Sequence, residues 1–535
     1  MTQSVSTNKV STKAAGVVGL AVMCSRVLGL VREQVFAGLF GGGRLLDMFF
    51  VAFRTPNLLR DMFAEGALST AFVTTFSKKI ATEGDESAWK LASKFATPTV
   101  VFLSIVTLIG VAIAPLLIKF FAPGFDAEKA AMTVLLARIM YPFILFVSLA
   151  ALVMGMLNAR HIFGVPAMAS SFFNIGSIVG GVGVGYWIDP HFGPNALIGL
   201  AVGTLIGGAL QLGVQLPSLR KVGFRFRPDF AWRDPGVKTI LALMGPAIIA
   251  ASSTQINVMI NTMFASGLGD GPITWLQIAF RLMQLPLGIF GVAIATVSLP
   301  VLSRSAAEAN IPEFRQNLAK GMRLAFLLTI PSTLGLMFLA EPIISVLYQH
   351  GKFGAGQTSQ AAAALQCYAI GLCAYSAMKV LVPAFYALDR RKTPMNVSFA
   401  AVGVNLVLNW LFTFRLGLGH RGLALSTGCV AISNFLILYW LMRRETRLLE
   451  TRALVAVLAK LAIPCALLAG ACWASRMWLM AGWATMPFAP KILYLLGTIA
   501  VAGLAFFAAA TLFRIDEIDD ATTIFRRKLG RLTNR

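Results

Sequence analysis

Apolar residues dominate the chain in windows of about twenty, the length needed for a helix to cross a bilayer's hydrocarbon core. Such windows begin near Val17, Leu46, Ala96, Met132, Val165, Leu197, Ile240, Ile273, Leu324, Ala363, Val397, Gly422, Leu454 and Ile492. Polar, Pro-containing or basic segments separate them. The pattern predicts an all-α polytopic membrane protein with about fourteen spans.

Composition agrees with this pattern. Of 535 residues, 57% are hydrophobic and only 13% charged, and the mean hydropathy is +0.75; soluble domains carry about 25% charged residues. The net charge of +23 would suggest a nucleic-acid partner in a soluble protein. Here the basic residues cluster between spans, as at Lys78/Lys79, Arg220/Lys221/Arg225/Arg227, Arg390/Arg391/Lys392, Arg443/Arg444/Arg447 and Arg526/Arg527/Lys528. Roughly 30 of the 46 Lys and Arg fall on one side of the spans and about 8 on the other, the asymmetry of the positive-inside rule. The excess charge therefore encodes orientation, with both termini cytoplasmic, and calls for no nucleic acid.

Polar residues inside the apolar segments are fewer and more informative. Arg26 and Arg32 interrupt the first span, and Arg54 and Arg60 the second. A central Arg costs about 2.5–3.5 kcal/mol on insertion scales, so such groups usually face a polar cavity. Asp47, Arg54, Asp61 and Glu65 recur at intervals of seven, seven and four with Asn57 between, forming one stripe on a helix. Arg60 lies off that stripe, and Pro56 is positioned to kink the helix so that the faces converge. Arg26 and Glu33 share a face of the first span, while Arg32 is rotated away.

The sequence from Ala52, AFRTPNLLRDMF, aligns at a constant offset with AFRLMQLPLGIF from Ala279, bringing Arg54 onto Arg281. Six spans separate the two, so the halves would share orientation about an axis along the membrane normal. The expected organisation is a first lobe of six helices over 1–220, a cytoplasmic linker over 221–238 and a second lobe of six over 239–444. Two further helices occupy 445–513. The basic tail, 514–535, places Ile518, Phe525 and Leu532 at helical spacing, which suits a helix on the anionic inner leaflet or a frayed tail equally.

Arg26, Arg32, Arg54, Arg60 and Arg281 against Glu33, Asp47, Asp61 and Glu65 leave a modest positive excess. Converging guanidinium planes suit phosphate or pyrophosphate oxygens, which they bind in bidentate fashion. The alternative is that each Arg is neutralised by a neighbouring acid and serves packing. Lys379, flanked by Tyr375 and Pro383, is a further candidate for a cavity, and Arg138 reads as a snorkelling residue. Asn405 and Asn409 share a face of the eleventh span and offer carbonyl oxygens to a coupling cation or to interhelical hydrogen bonds.

The six cysteines have no CxxC spacing and the four histidines are far apart, so neither a disulfide framework nor a metal site is expected. The first apolar segment lacks a small-residue cleavage pattern, so no secretory signal is expected. An exporter of cationic drugs would present an acidic, aromatic cavity rather than Arg. An enzyme of polyprenyl phosphates would need clustered acids such as DDxxD, and ATP hydrolysis a Walker A loop; neither motif occurs. A non-transporting scaffold for cell-wall enzymes stays open at this point.

SRVLGLVRE from Ser25 and DMFFVAFRTPNLLRDMFAEGALS from Asp47 resemble the MurJ (MviN) family of lipid II flippases. That family lies within the multidrug, oligosaccharidyl-lipid and polysaccharide exporter superfamily. MGPAIIAASSTQINVMINTMFAS from Met244, FRLMQLPLGIFGVAIATVSLPVLS from Phe280, YQHGKF from Tyr348 and KVLVPAFYALDRRKTP from Lys379 extend the resemblance over nearly the whole chain. It implies fourteen helices in the bacterial inner membrane, with two six-helix lobes around a cationic cavity and the last two helices forming a groove for a polyprenyl tail. The implied substrate is lipid II, the undecaprenyl-pyrophosphate-linked disaccharide pentapeptide of peptidoglycan synthesis, and cell-wall synthesis and division proteins are implied partners. The family's functional positions fall on Arg26, Arg32, Glu33, Asp47, Arg54, Arg60, Glu65 and Arg281. No cofactor is implied; energy would come from the membrane potential or a monovalent cation. Some relatives carry an acid where this chain has Phe280, and acids that hold sodium in certain relatives are replaced by Asn405 and Asn409.

Overall fold

A computed structural model describes residues 12–61, 69–513, 515 and 517–518. Every regular element in them is helical. The chain runs through α1 (Thr12–Phe40), α2 (Arg44–Arg60), α3 (Ser69–Glu83), α4 (Asp85–Phe121), α5 (Ala127–Met140), α6 (Phe143–Ala159) and α7 (Gly164–Ile188). Next come α8 (Leu197–Gly213), the short α9 (Leu216–Lys221), α10 (Pro235–Ser266), α11 (Pro272–Pro286), α12 (Val292–Ala307) and α13 (Ile311–Phe338). The remainder is α14 (Ala340–Tyr348), α15 (Ala355–Ala369), α16 (Leu372–Ala387), α17 (Lys392–Trp410), α18 (His420–Glu445), α19 (Thr451–Ala474) and α20 (Phe488–Leu512).

Among the described residues ten helical segments are long and apolar enough to cross a membrane, and the pair α15–α16, bent by 43°, would make an eleventh. Their outward faces carry large apolar side chains that water would not tolerate in such number. Leu108, Val297, Leu493 and Leu504 are each about 70% exposed. This is an all-α polytopic membrane protein.

Helix starts follow from capping chemistry. The Asp126 side chain accepts from Lys129 N at 2.9 Å to open α5, and Asp234 accepts from Gly236 N at 2.8 Å to open α10, with Pro235 at the first position. The α7–α8 pair rests instead on small residues. Gly199, Gly203 and Gly207 repeat every four residues along α8. A Cβ on Gly203 would fall 2.3 Å from Gly181 N, and one on Gly199 would fall 2.2 Å from Gly185 N. Only glycine permits backbones this close, the small-xxx-small packing of membrane helices.

The chain forms two compact units, Met1–Ile273 with Gly351–Phe353, and Thr274–His350 with Gly354–Arg535. In the first, Phe72, Phe76, Phe95, Leu152 and Met156 form a core joining α3, α4 and α6. Lys352 N donates to the Gly38 carbonyl at 2.7 Å, and Lys352 Nζ reaches the carbonyls of His191 and Phe192 at 2.7 and 3.0 Å. In the second unit, Phe314, Phe326 and Phe385 centre one core, while Leu461, Cys465, Cys472 and Phe506 centre another between α19 and α20. Ile515 and Ile518 are buried against the latter, and the tail positions Phe525 and Leu532 lie outside the described residues.

The packing boundary differs from the linker at 221–238 expected from sequence. Helix α10 follows the linker yet packs with α3 and α4 in the first unit. The reason is local: Lys94 Nζ on α4 pairs with Asp234 at 2.8 Å, and Val237, Ile240 and Met244 enter the Phe72–Phe95 core.

Candidate functional site

Helix α2 carries the polar stripe. Leu46, Met48, Phe49, Val51 and Ala52 are buried, and Phe53 packs against Phe143 with centroids 5.6 Å apart. Pro56 has no N–H for the Ala52 carbonyl four residues back. Thr55 Oγ1 donates to that carbonyl at 3.1 Å, so the proline sits inside a helix whose freed acceptor is satisfied.

Just beyond Pro56 the polar groups converge on Asp61. Arg60 donates from Nε and Nη2 to Asp61 Oδ1 at 3.1 and 2.8 Å. Asn57 Nδ2 and, from α10, Gln255 Nε2 each donate to Asp61 Oδ2 at 3.2 Å. Arg60 and Asp61 side chains remain 22% and 23% exposed, so the pair is largely shielded but keeps some access to solvent. Asp61 belongs to the stripe but not to the binding residues expected from sequence; its i,i+4 relation to Asn57 is the available signal. Arg54 is half-buried about two turns before Asp61 on the same helix.

On α1, Arg26 is exposed and Arg32 half-buried. The Arg32 guanidinium lies over the Phe173 ring of α7, 5.2 Å from its centroid, a placement that orients the planar cation without neutralising it. Glu33 is 4% exposed. Asn174 Nδ2 donates to the Ser25 and Ser170 carbonyls at 3.1 Å each, fixing α1 to α7 beside Arg26.

Asp47 stands apart from this group. Fourteen residues of helix put it about 21 Å from Asp61 along the axis, in a buried ionic cluster at the start of α2. Asp47 Oδ2 accepts from Gly271 N at 2.6 Å and lies 3.5 Å from Lys129 Nζ. Lys129 also binds Asp270 at 2.7 Å and caps the Phe125 ring at 4.1 Å. Beside it Arg44 grips Asp126 with two bonds of 2.6 and 2.8 Å, and this hydrogen-bonded guanidinium holds the Asp126 carboxyl well below the usual range. Glu65 lies outside the described residues.

The second unit holds the remaining candidates. Arg281 is half-buried on α11, and Phe280 beside it meets Tyr368 edge-on at 5.4 Å. Lys379 is exposed on α16. Asn405 and Asn409 are fully buried; Asn409 Nδ2 donates to Asn405 Oδ1 at 2.9 Å, and Ser426 of α18 donates to Asn409 Oδ1. These carbonyls thus already face protein donors. Among the described residues no group of three His, Cys, Asp or Glu side chains is placed to hold a metal.

The backbone turns π-helical at Asp61, where α2 ends, and again over Leu287–Gly291 after α11. The offset that pairs Arg54 with Arg281 pairs Asp61 with Gly288. Arg54 and Arg281 are thus each half-buried about two turns before a π-bulge, a device common at functional sites.

The family model described as lipid II flippase MurJ matches residues 36–494. A probable lipid II flippase MurJ of Vibrio cholerae is 35% identical over 530 residues, 97% of this chain and 99% of that protein. The lipid II flippase MurJ of Burkholderia cenocepacia is 38% identical over 429 residues, 79% and 82% of the two chains. Among solved structures, a lipid II flippase MurJ in an inward closed conformation superposes with a TM-score of 0.74 at 25% identity, covering 96% of this chain and 99% of its own. An inward-facing multidrug transporter of the MATE family shares the fold at a TM-score of 0.65 and 15% identity, over 81% and 98%. With a family model matched along 459 of its residues and relatives aligned nearly end to end, the chain belongs to the MurJ family of lipid II flippases, which are transporters and not enzymes.

Proposed function

We propose that the protein moves lipid II from the cytoplasmic to the periplasmic leaflet of the bacterial inner membrane by alternating access. Membership of the MurJ family along nearly the full length carries this reading. The arginines at membrane depth add its chemistry. In this reading Arg26, Arg32, Arg54, Arg60 and Arg281 bind the pyrophosphate in an Arg-lined cavity, with Lys379 assisting. Arg60 is held by Asp61, and Arg32 by the face of Phe173, so the guanidinium planes are oriented in advance, which lowers the entropic cost of binding.

Fourteen helices carry the cycle, six in each lobe, and α19–α20 form the groove in which the polyprenyl tail stays in lipid. Both termini are cytoplasmic. Substrate shifts the two-state equilibrium only through different affinities for the two states, so the guanidinium clamp must loosen on the outward side. An inside-negative potential favours outward movement of an anion by about 2.3 kcal/mol per charge per 100 mV. A monovalent cation at Asn405 and Asn409 is the other energy source considered, and proteins of cell-wall synthesis and division are the expected partners.

The test is depletion of the native protein in cells, complemented by wild type, Arg32→Ala or Arg281→Ala at equal membrane levels, with access of lipid II headgroups to an external probe as readout. Wild type restores exposure and the two variants do not. Equal restoration by all three would make these arginines structural; failure of wild type itself would overturn the transport reading.

A further inference from the structure

The segment joining α9 to α10 is not a free linker. Arg227 N and Asp229 N donate to Ser93 Oγ and Thr97 Oγ1 of α4 at 3.5 and 3.0 Å, and Asp234 pairs with Lys94. Pinned in this way, it alternates exposed aromatic and basic side chains: Arg225, Phe226, Arg227, Phe230, Trp232, Arg233. Aromatic rings interleaved with Arg are what the bilayer interface selects. The Arg233 guanidinium lies 4.9 Å from the centre of the Trp232 ring.

Trp232 also walls the mouth of a cavity of about 350 Å³ between α4 and α10, within the ~300–1,000 Å³ range of small-molecule sites. Phe95, Phe102, Leu241, Met244 and Ile248 form its sides. Phe102 and Leu241 are half-exposed on the outer surface, so the cavity opens laterally toward lipid. Its walls offer water almost nothing. Thr99 is spent on the Phe95 carbonyl, and the buried Ser148 hydroxyl has no partner among the described residues. Ordered water needs two to four polar partners, so hydrocarbon fills this space better than water does.

We propose that the cavity binds an anionic glycerophospholipid of the leaflet facing the basic segment, with one acyl chain between α4 and α10 and the phosphate on Arg233 and Arg227. The segment from Leu219 to Lys238 has six basic residues against two acidic ones, which selects an anionic headgroup over a zwitterionic one. The site lies within the first unit and is separate from the arginines of α1 and α2. It rests on the membrane reading of the chain and not on the transported substrate.

Full-length protein in nanodiscs is irradiated with phosphatidylglycerol bearing a photoreactive acyl chain, and the labelled peptides are mapped. Labelling concentrates on 95–103 and 237–248. Unlabelled phosphatidylglycerol displaces it at about thirtyfold lower concentration than phosphatidylcholine, as two arginines at ~1 kcal/mol each would give. Gly245 lines the cavity and a Cβ there would meet nothing within 4 Å, so Gly245→Leu adds apolar bulk on the cavity wall, and it lowers this labelling several-fold. Arg227→Gln with Arg233→Gln removes the headgroup preference while leaving the cavity intact. Labelling that is uniform over lipid-facing helices such as α20, or unchanged by Gly245→Leu, overturns the site. Better displacement by a polyprenyl phosphate overturns the assigned occupant. The transport reading survives either result, since headgroup exposure in cells is measured separately.

Discussion

Arg138 donates from Nε to the carbonyl of Val111 at 3.2 Å, and Val111 is the residue whose carbonyl Pro115 cannot serve. A proline inside α4 leaves an acceptor bare in the lipid-facing part of the helix, and a side chain from α5 satisfies it. Snorkelling, the reading from sequence, describes the exposed guanidinium but misses this bond. Arg138→Leu should cost about 1.5–3 kcal/mol, the range for hydrogen bonds to charged groups. In a Pro115→Ala background, where the restored backbone N–H closes the helix bond, the same change should cost markedly less. Thermal unfolding in detergent of the four members of the cycle measures the coupling; additive losses would show that the bond contributes nothing.

The buried cluster around Lys129 gives a larger effect. Lys129 is 3% and Asp47 0% exposed, so removing the ammonium takes the nearest cation away from a buried carboxylate. Lys129→Met should destabilise by about 3–5 kcal/mol, and adding Asp47→Asn should recover much of it. Asp270, half-exposed, should tolerate Asn with a loss of under about 1 kcal/mol. Because Arg44 depresses the Asp126 carboxyl, the stabilisation from that neighbouring pair is complete above about pH 4 and disappears only as pH falls through the lowered value. Unfolding midpoints of these variants at neutral pH and at pH 4 provide the check.

Helices were legible from sequence where burial is one-dimensional: a run of apolar residues needs a partner that is simply lipid or another helix. What the sequence hid was pairing at a distance. Lys129 is 82 residues from Asp47, and nothing in the local period of α5 marks it as that carboxylate's counterion. The segment Ser69–Glu83 forms a separate helix whose Phe72 and Phe76 anchor a core, yet it is too mixed in polarity to stand out beside membrane spans. Gln255 reaches Asp61 from α10, and only the fold brings those two helices together.

Glycine spacing on α8 makes a sharp prediction about packing. Gly203→Ala places a methyl 2.3 Å from Gly181 N, a backbone atom that cannot rotate away. The helices must separate, at about 1–3 kcal/mol. Gly183→Ala on the neighbouring helix meets nothing within 4 Å and should be neutral or stabilising by up to about 1 kcal/mol, since glycine is a poor helix former. Denaturation midpoints that fail to separate the two variants would mean that the close approach of α7 and α8 contributes little.

Asn409 sits between a donor and an acceptor, taking a proton from Ser426 and giving one to Asn405. Asn409→Ala removes the donor to Asn405 Oδ1 and leaves the Ser426 hydroxyl to the Leu423 carbonyl of its own helix, which should cost about 1–3 kcal/mol. We expect the loss to be the same in sodium and in choline buffers. A bound cation would stabilise in proportion to the logarithm of its concentration. A midpoint that rises with sodium in wild type but not in Asn409→Ala would assign the coupling ion to this pair.

The stacking of Arg32 on Phe173 separates charge from orientation within the proposed clamp. Phe173→Leu keeps the guanidinium and removes the aromatic face, a contribution of about 0.5–1 kcal/mol at a partly exposed site. Headgroup exposure should fall no more than about fivefold. Arg32→Lys keeps the charge but loses the planar fork that matches phosphate oxygens, and should fall further. Arg32→Ala removes both and should fail to restore exposure. The order Phe173→Leu, Arg32→Lys, Arg32→Ala, at equal membrane levels, is the signature of bidentate anion recognition. If Arg32→Lys matches wild type, a point charge suffices and the fork has no role; if Phe173→Leu is as damaging as Arg32→Ala, the ring matters to the packing of α7 rather than to the cation.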